Sequence, residues 1–108
     1  MLKRLFLEAA LDDDVDAFAL FAVVDREVGG TDEEKAALAG SVIRDLLITG
    51  KLVPGVPTRA GFVPWRITGA EAADVIDAEW QRIVPVPEFG DIAWFDITTK
   101  GRSDLGDA

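Results

Sequence analysis

Residues 31–65, TDEEKAALAGSVIRDLLITGKLVPGVPTRAGFVPW, hold the pattern from which the rest of the chain is read. Thr31-Asp32-Glu33-Glu34 has the spacing of a capping box. There the threonine hydroxyl takes the third amide of a helix and the glutamate reaches back to the threonine amide. Apolar residues follow at Leu38, Val42, Ile43, Leu46 and Leu47, a helical stripe that predicts a helix to about Ile48 with those five side chains inside. Gly50 ends it, since glycine takes the left-handed conformation a helix C-terminus needs. Lys51 to Val53 reads as a short strand. Pro54-Gly55-Val56-Pro57-Thr58-Arg59-Ala60-Gly61 reads as an irregular loop, because two prolines and two glycines punctuate it. Phe62 to Ile67 is extended again, and Pro64, with no amide proton to give, calls for a sheet edge or a bulge.

Toward the N-terminus, Leu2, Leu5, Phe6 and Ala9 recur at helical spacing and predict an amphipathic helix ending near Leu11. Asp12 to Asp14 would oppose the negative end of that helix dipole, so they suit the start of the next element. A short extended piece at Val15 then leads to a helix from Ala17 to Val28, stopped by Gly29-Gly30. Its apolar stripe is wide. Phe18, Leu20, Phe21, Val23 and Val24 span more than one face, and Leu20 and Val23 are the expected contact of a dimer.

Toward the C-terminus, Thr68-Gly69-Ala70-Glu71 repeats the capping-box spacing and opens a fourth helix. Ala72, Ile76, Trp80 and Ile83 face inward on it, while Glu71, Asp74, Glu79 and Arg82 face out. Val84 to Gly90 is a stiff connection, and Asp91 to Ile97 a strand of β-branched and aromatic residues. Trp94 and Phe95 are adjacent in it and must point to opposite faces. The fourth helix is expected over one face and the first three over the other. Thr98 to Leu105 suits a last helical turn. Without a repeat or a linker, residues 1–108 are expected to form one α+β domain: a three-helix core, a small antiparallel sheet and an additional fourth helix.

Composition narrows the chemistry. Net charge is −9, with 5 basic and 11 acidic side chains in the first fifty residues and 6 and 9 in the rest. Neither half makes a basic surface, so nucleic acid is disfavoured and a basic protein partner is permitted. Cys, His and Tyr are absent, which rules out a disulfide, a zinc knuckle and an imidazole acid or base. Asp12, Asp14 and Asp16 match the first three ligand positions of a calcium loop. Its turn glycine and bidentate glutamate would fall at Ala17 and Val23, so these acids read as a solvated loop and helix cap. Asp74, Asp77 and Glu79 read as a solvated face, and Ser41 and Ser103 have no neighbouring base. Gly29-Gly30 precedes a helix that opens with acids, which would repel phosphate. No catalysis, metal or cofactor is expected. The apolar run from Ala17 to Val24 is too short for a bilayer, and the N-terminal apolar run breaks at Glu8, too early for a signal peptide. A cytoplasmic location is expected.

The order of three helices, strand, loop and strand resembles a winged helix-turn-helix domain. Leu46-Leu47-Ile48-Thr49-Gly50-Lys51-Leu52-Val53 is similar to a recognition helix running into the first strand of a wing. Trp94-Phe95-Asp96-Ile97-Thr98-Thr99-Lys100-Gly101-Arg102 is similar to the Leu-Thr-x-x-Gly-Arg close of the wing in bacterial regulators, with Ile97 in the leucine place. Two segments compete to return the wing, Phe62 to Trp65 and Asp91 to Ile97, and a three-stranded sheet with Lys51 to Val53 accommodates both. The resemblance makes Asp32, Glu33, Lys35, Ala36 and Ala39 the groove-facing positions, and they offer one positive charge. The expected function is therefore a non-catalytic, acidic interaction module, an inhibitor or immunity-type protein. It would meet a basic partner through Asp32, Glu33, Asp12, Asp14 and Asp16. The alternative is a dimeric DNA-binding regulator that grips phosphate through Lys51, Arg59 and Arg66 on the wing.

Overall fold

The computed structural model describes residues 1–82, 86–88 and 90–106. Among the described residues nine elements follow one another: α1 (Leu2–Ala9), β1 (Val15–Asp16), α2 (Ala17–Glu27), α3 (Asp32–Ile48), β2 (Leu52–Thr58), β3 (Gly61–Pro64), α4 (Gly69–Arg82), β4 (Trp94–Ile97) and α5 (Thr99–Asp104). The fold is α+β. Its four strands form one antiparallel sheet in the order β1-β4-β2-β3. The expected strand pairing holds, since β2 is bonded to both β3 and β4, and the extended piece at Val15 adds a fourth strand opposite Phe95. Ile83, the stiff connection at Val84 and Pro85, and Phe89 lie outside the described residues. No helix among the described residues is long and apolar enough to cross a membrane.

The loop expected at residues 54–61 is instead strand and turn. β2 continues through Pro54 and Pro57, pairing with β4 over residues 52–55 and with β3 over residues 55–58. Alternation explains why two prolines fit. Lys51 and every second residue after it turn their backbone groups toward β4, as the Thr98 amide on the Lys51 carbonyl shows (3.1 Å). Pro54 therefore turns toward β3, where its carbonyl accepts the Trp65 amide at 2.9 Å beyond the last β3 pair. Pro57 turns toward β4 beyond the point where that strand begins. Pro57 therefore costs no ladder bond, and Pro54 forgoes only the return bond to Trp65, at the very end of the β2–β3 pairing. Pro64 lies on the outer strand β3, the edge position its residue type requires.

The expected strand from Asp91 shortens to residues 94–97. Ile92 sits at φ 71°, and the Ala93 amide donates to the Asp91 carbonyl at 2.9 Å, so a tight turn precedes the strand. β4 then alternates as its two aromatics demand: Phe95 is buried against the helices and Trp94 is half-buried on the other face. The main packing partner of the fourth helix is α3, against which Ala72, Ala73, Ile76 and Trp80 are buried.

Two expectations about buried faces are corrected. Leu20 and Val23 are 0% and 6% exposed, so they cannot form a dimer face. α2 is enclosed by α1, α3 and β1 together, and those neighbours absorb the wide stripe that one flat core would leave bare. Phe18, at 43% exposure, is the large side chain of this helix left outside. On α3 the buried arc is rotated: Ala36 and Ala39 are inside and Leu38 is exposed. Contacts with α2 on one side and α4 on the other recruit the small alanines, whose side chains allow helices to approach closely.

Candidate functional site

The acids proposed as one binding face separate into two groups, and one member leaves altogether. Asp16 is 2% exposed. Its Oδ1 accepts the Ala19 amide at 2.9 Å as the N-cap of α2, and its Oδ2 accepts the Gly90 amide at 2.6 Å. A carboxylate spent on two backbone donors stabilises the fold and is not available to a partner. Asp12 and Asp13 are exposed beside it, and Asp14 is half-buried. Burial, and then the charges of Asp96 and Asp13, push the Asp14 carboxyl above its usual range. Among the described residues, no three acids gather in a way that could hold a metal ion.

Asp32 and Glu33 stand at the other end of α2. That helix has 11 residues. At 1.5 Å per residue it holds the two acidic groups roughly 16 Å apart. They therefore form two separate clusters. At the first turn of α3 the capping box forms as its spacing predicts: the Glu34 amide donates to Thr31 Oγ1 at 3.1 Å, and the Thr31 amide donates to Glu34 Oε1 at 2.9 Å. The Thr31 amide, then its hydroxyl, holds the Glu34 carboxyl below its usual range. Lys35, the one cation of this turn, has its ammonium 2.7 Å from Asp25 on α2. Asp32 and Glu33 are left exposed, with no ion pair among the described residues.

The three cations assigned to the wing also divide. Lys51 lies at the root of β2, 2.7 Å from Asp104 of α5, and is largely covered. Arg59 occupies the turn between β2 and β3 and Arg66 follows β3; both are exposed and make no ion pair among the described residues. Thr58 pins that turn, donating to the Gly61 carbonyl at 2.6 Å and accepting the Ala60 amide at 3.2 Å. Val56 and Val63 face each other across the hairpin and are both exposed. The Thr-x-x-Gly-Arg segment has a packing role. Thr98 caps α5 through the Gly101 amide (3.0 Å) and donates to the Gly50 carbonyl (2.6 Å). A side chain at Gly101 would overlap the Lys51 carbonyl oxygen, so this segment locks β4 and α5 onto the end of α3.

Sequence reasoning missed a cleft of about 460 Å³ between α3 and α4. Ala36, Gly40, Ser41 and Arg44 of α3 face Asp77 and Trp80 of α4 across it. Arg44 Nη1 donates to Asp74 Oδ1 at 3.0 Å and to Asp77 Oδ2 at 2.8 Å, and those carboxylates push the guanidinium pKa up. Asp74 and Asp77 are therefore paired, where the sequence suggested a merely solvated face. The available signal was the run of small residues at Ala36, Ala37, Gly40 and Ser41, which leaves room beside a large Trp80. No family model matches this chain, and no curated protein or solved structure matches it.

Proposed function

We propose that this chain is a non-catalytic interaction module of winged-helix-like build, working in the cytoplasm as an inhibitor or immunity-type protein for a basic partner. The observation that carries the reading is the first turn of α3. Asp32 and Glu33 are exposed there and unpaired among the described residues, while the neighbouring lysine is taken by Asp25. Such a turn repels phosphate and attracts cations, and the net charge of −9 extends the same field over the molecule. Three helices leading into the β2–β3 hairpin support the winged-helix part of the reading. The non-catalytic part rests on composition, which offers no histidine, cysteine or tyrosine.

A DNA-binding regulator is the second reading, favoured by the unpaired Arg59 and Arg66 on the hairpin. It asks two arginines to outweigh the acids of α3, because Lys51 is already neutralised by Asp104. Calorimetric titration with an arginine-rich peptide tests the first reading. Asp32→Lys with Glu33→Lys should weaken that binding by roughly tenfold or more, about 1.4 kcal/mol. An affinity unchanged by the double reversal would remove the acidic turn from the interface.

A further inference from the structure

We propose that the β2–β3 hairpin docks this protein on an anionic lipid surface, its valines entering the headgroup boundary and its arginines pairing lipid phosphates. The contact is peripheral, and it uses residues that the acidic interface proposed above leaves idle.

The first support is charge. Residues 46–70, between Asp45 and Glu71, hold no acid, the longest such run in the chain. Elsewhere the fold brings cations onto its own carboxylates: Lys3 on Asp45, Lys35 on Asp25, Arg44 on Asp74 and Asp77. Arg59 and Arg66 stand exposed on either side of β3 and reach no acid among the described residues. β2 runs three residues, roughly 10 Å, past its last pairing with β4. That is about one Debye length at physiological salt, over which charges on the body are largely screened from the tip.

The second is apolar surface. Leu52, Pro54 and Val56 fall at i, i+2 and i+4, on one face of β2. Leu52 and Pro54 are buried, while Val56 is 52% exposed and its cross-strand partner Val63 is 53% exposed. The core face of the sheet therefore runs on past the body as a bare pair of valines.

The third is the backbone, and it separates the anionic partners. The Trp65 amide on the Pro54 carbonyl, at 2.9 Å, marks residues 54 and 65 as a hydrogen-bonded pair. Bonded pairs alternate along an antiparallel ladder, so Val56 bonds Val63 and Thr58 bonds Gly61. The outward positions of the projecting part are then Pro57, Phe62 and Pro64, two of them without an N–H. At the turn, Thr58 Oγ1 takes the Ala60 amide and donates to the Gly61 carbonyl. An acidic strand adding to β3 needs outward amides and would find that of Phe62 alone. Nucleic acid gains from amides and cations and little from bare valines. A lipid interface takes the valines, pairs the arginines and penalises each free amide, of which the prolines remove two.

The test is co-sedimentation of the full-length protein with vesicles of roughly two parts phosphatidylcholine to one part phosphatidylserine, and with vesicles of phosphatidylcholine alone. Binding to the mixed vesicles is expected to saturate, to weaken as salt is raised, and to be roughly tenfold or more tighter than to the neutral ones. Arg59→Gln with Arg66→Gln should lower it roughly tenfold or more, since each cation near such a surface contributes about fivefold. Val56→Thr with Val63→Thr keeps the branched shape and should lower it about threefold or more. All four positions are exposed, so both double variants should unfold at the wild-type temperature. Lys100→Gln, which removes a cation outside the hairpin, should leave binding unchanged. No binding to the mixed vesicles, or binding indifferent to either double variant, would overturn the proposal. So would duplex DNA bound through Arg59 and Arg66 while the vesicles sediment without protein, which would give the hairpin to nucleic acid.

Discussion

The contact between α3 and α4 has two ends, and a glycine at each end does the opposite job. At the lower end Gly69 begins α4 against the close of α3, where a side chain would overlap the Leu47 carbonyl oxygen. At the upper end Gly40 faces Asp77 with nothing nearer than 4.0 Å to a would-be Cβ. One glycine lets two backbones touch; the other sets a wall back and leaves a cleft. The helices touch backbone to backbone at one end and meet through side chains at the other, so the cleft beside Asp77 belongs to the packing of the body. It does not depend on a loop.

Trp80 carries the largest expected effect on this arrangement. It is buried on the α4 face that packs on α3, and it lines the cleft one turn beyond Asp77. Trp80→Ala should cost roughly 3 to 5 kcal/mol in denaturant unfolding. A loss under about 1 kcal/mol would mean that α4 is not held to α3 by this side chain.

The two glycines come next, and their predicted effects differ in sign. Gly69→Ala forces a backbone shift at the closed end and should destabilise by about 1 to 3 kcal/mol. Gly40→Ala adds a methyl at ordinary contact distance from Asp77 in a helix interior and should stabilise by about 0.5 to 1 kcal/mol. Thermal unfolding of both variants side by side is enough to decide. Two losses of equal size would dissolve the distinction between a packed end and an open one.

A smaller effect comes from the capping boxes, one opening each helix of the pair. Thr31 holds Glu34, and Thr68 holds Glu71 through amide bonds of 3.1 Å in each direction. Both glutamates have carboxyl pKa values lowered from the ordinary 4.5, chiefly by the threonine amide and then its hydroxyl. A lowered folded-state pKa stabilises the fold above pH 4.5, and that contribution is lost as pH falls through the lowered values. Unfolding curves across this acid range should show the loss. Glu34→Gln and Glu71→Gln, which remove the titrating carboxyls, should each flatten part of it, and a slope untouched by either variant would assign acid sensitivity elsewhere.

Legibility in the chain divides in a similar way, between local features and assembled ones. Thr31 and Thr68 announced their helices because a capping box lies within four residues. Pro64 announced an edge because a missing amide proton restricts a strand wherever it lies. Pro54 and Pro57 misled, since their tolerance depends on where β3 and β4 end, far along the chain. Leu20 and Val23 misled likewise, because the number of elements around α2 is not written in α2. Asp16 counts as a surface acid until Gly90, 74 residues away, supplies its second donor. The cleft was invisible for the same reason: Gly40 and Asp77 meet only after α4 folds back on α3.

The central claim is that the acidic first turn of α3 is presented to a basic protein surface and not to nucleic acid. Its most direct test is a pair of titrations of the unmodified protein at low salt, about 50 mM, one with an arginine-rich peptide and one with duplex DNA. The expected result is saturable binding of the peptide that weakens as salt is raised, and DNA binding that is weaker than the peptide's at low salt and falls below about 0.1 mM affinity once salt is brought to the physiological range. Tight duplex binding abolished by Arg59→Ala, with no response to the peptide, would contradict it and make the β2–β3 hairpin the working surface.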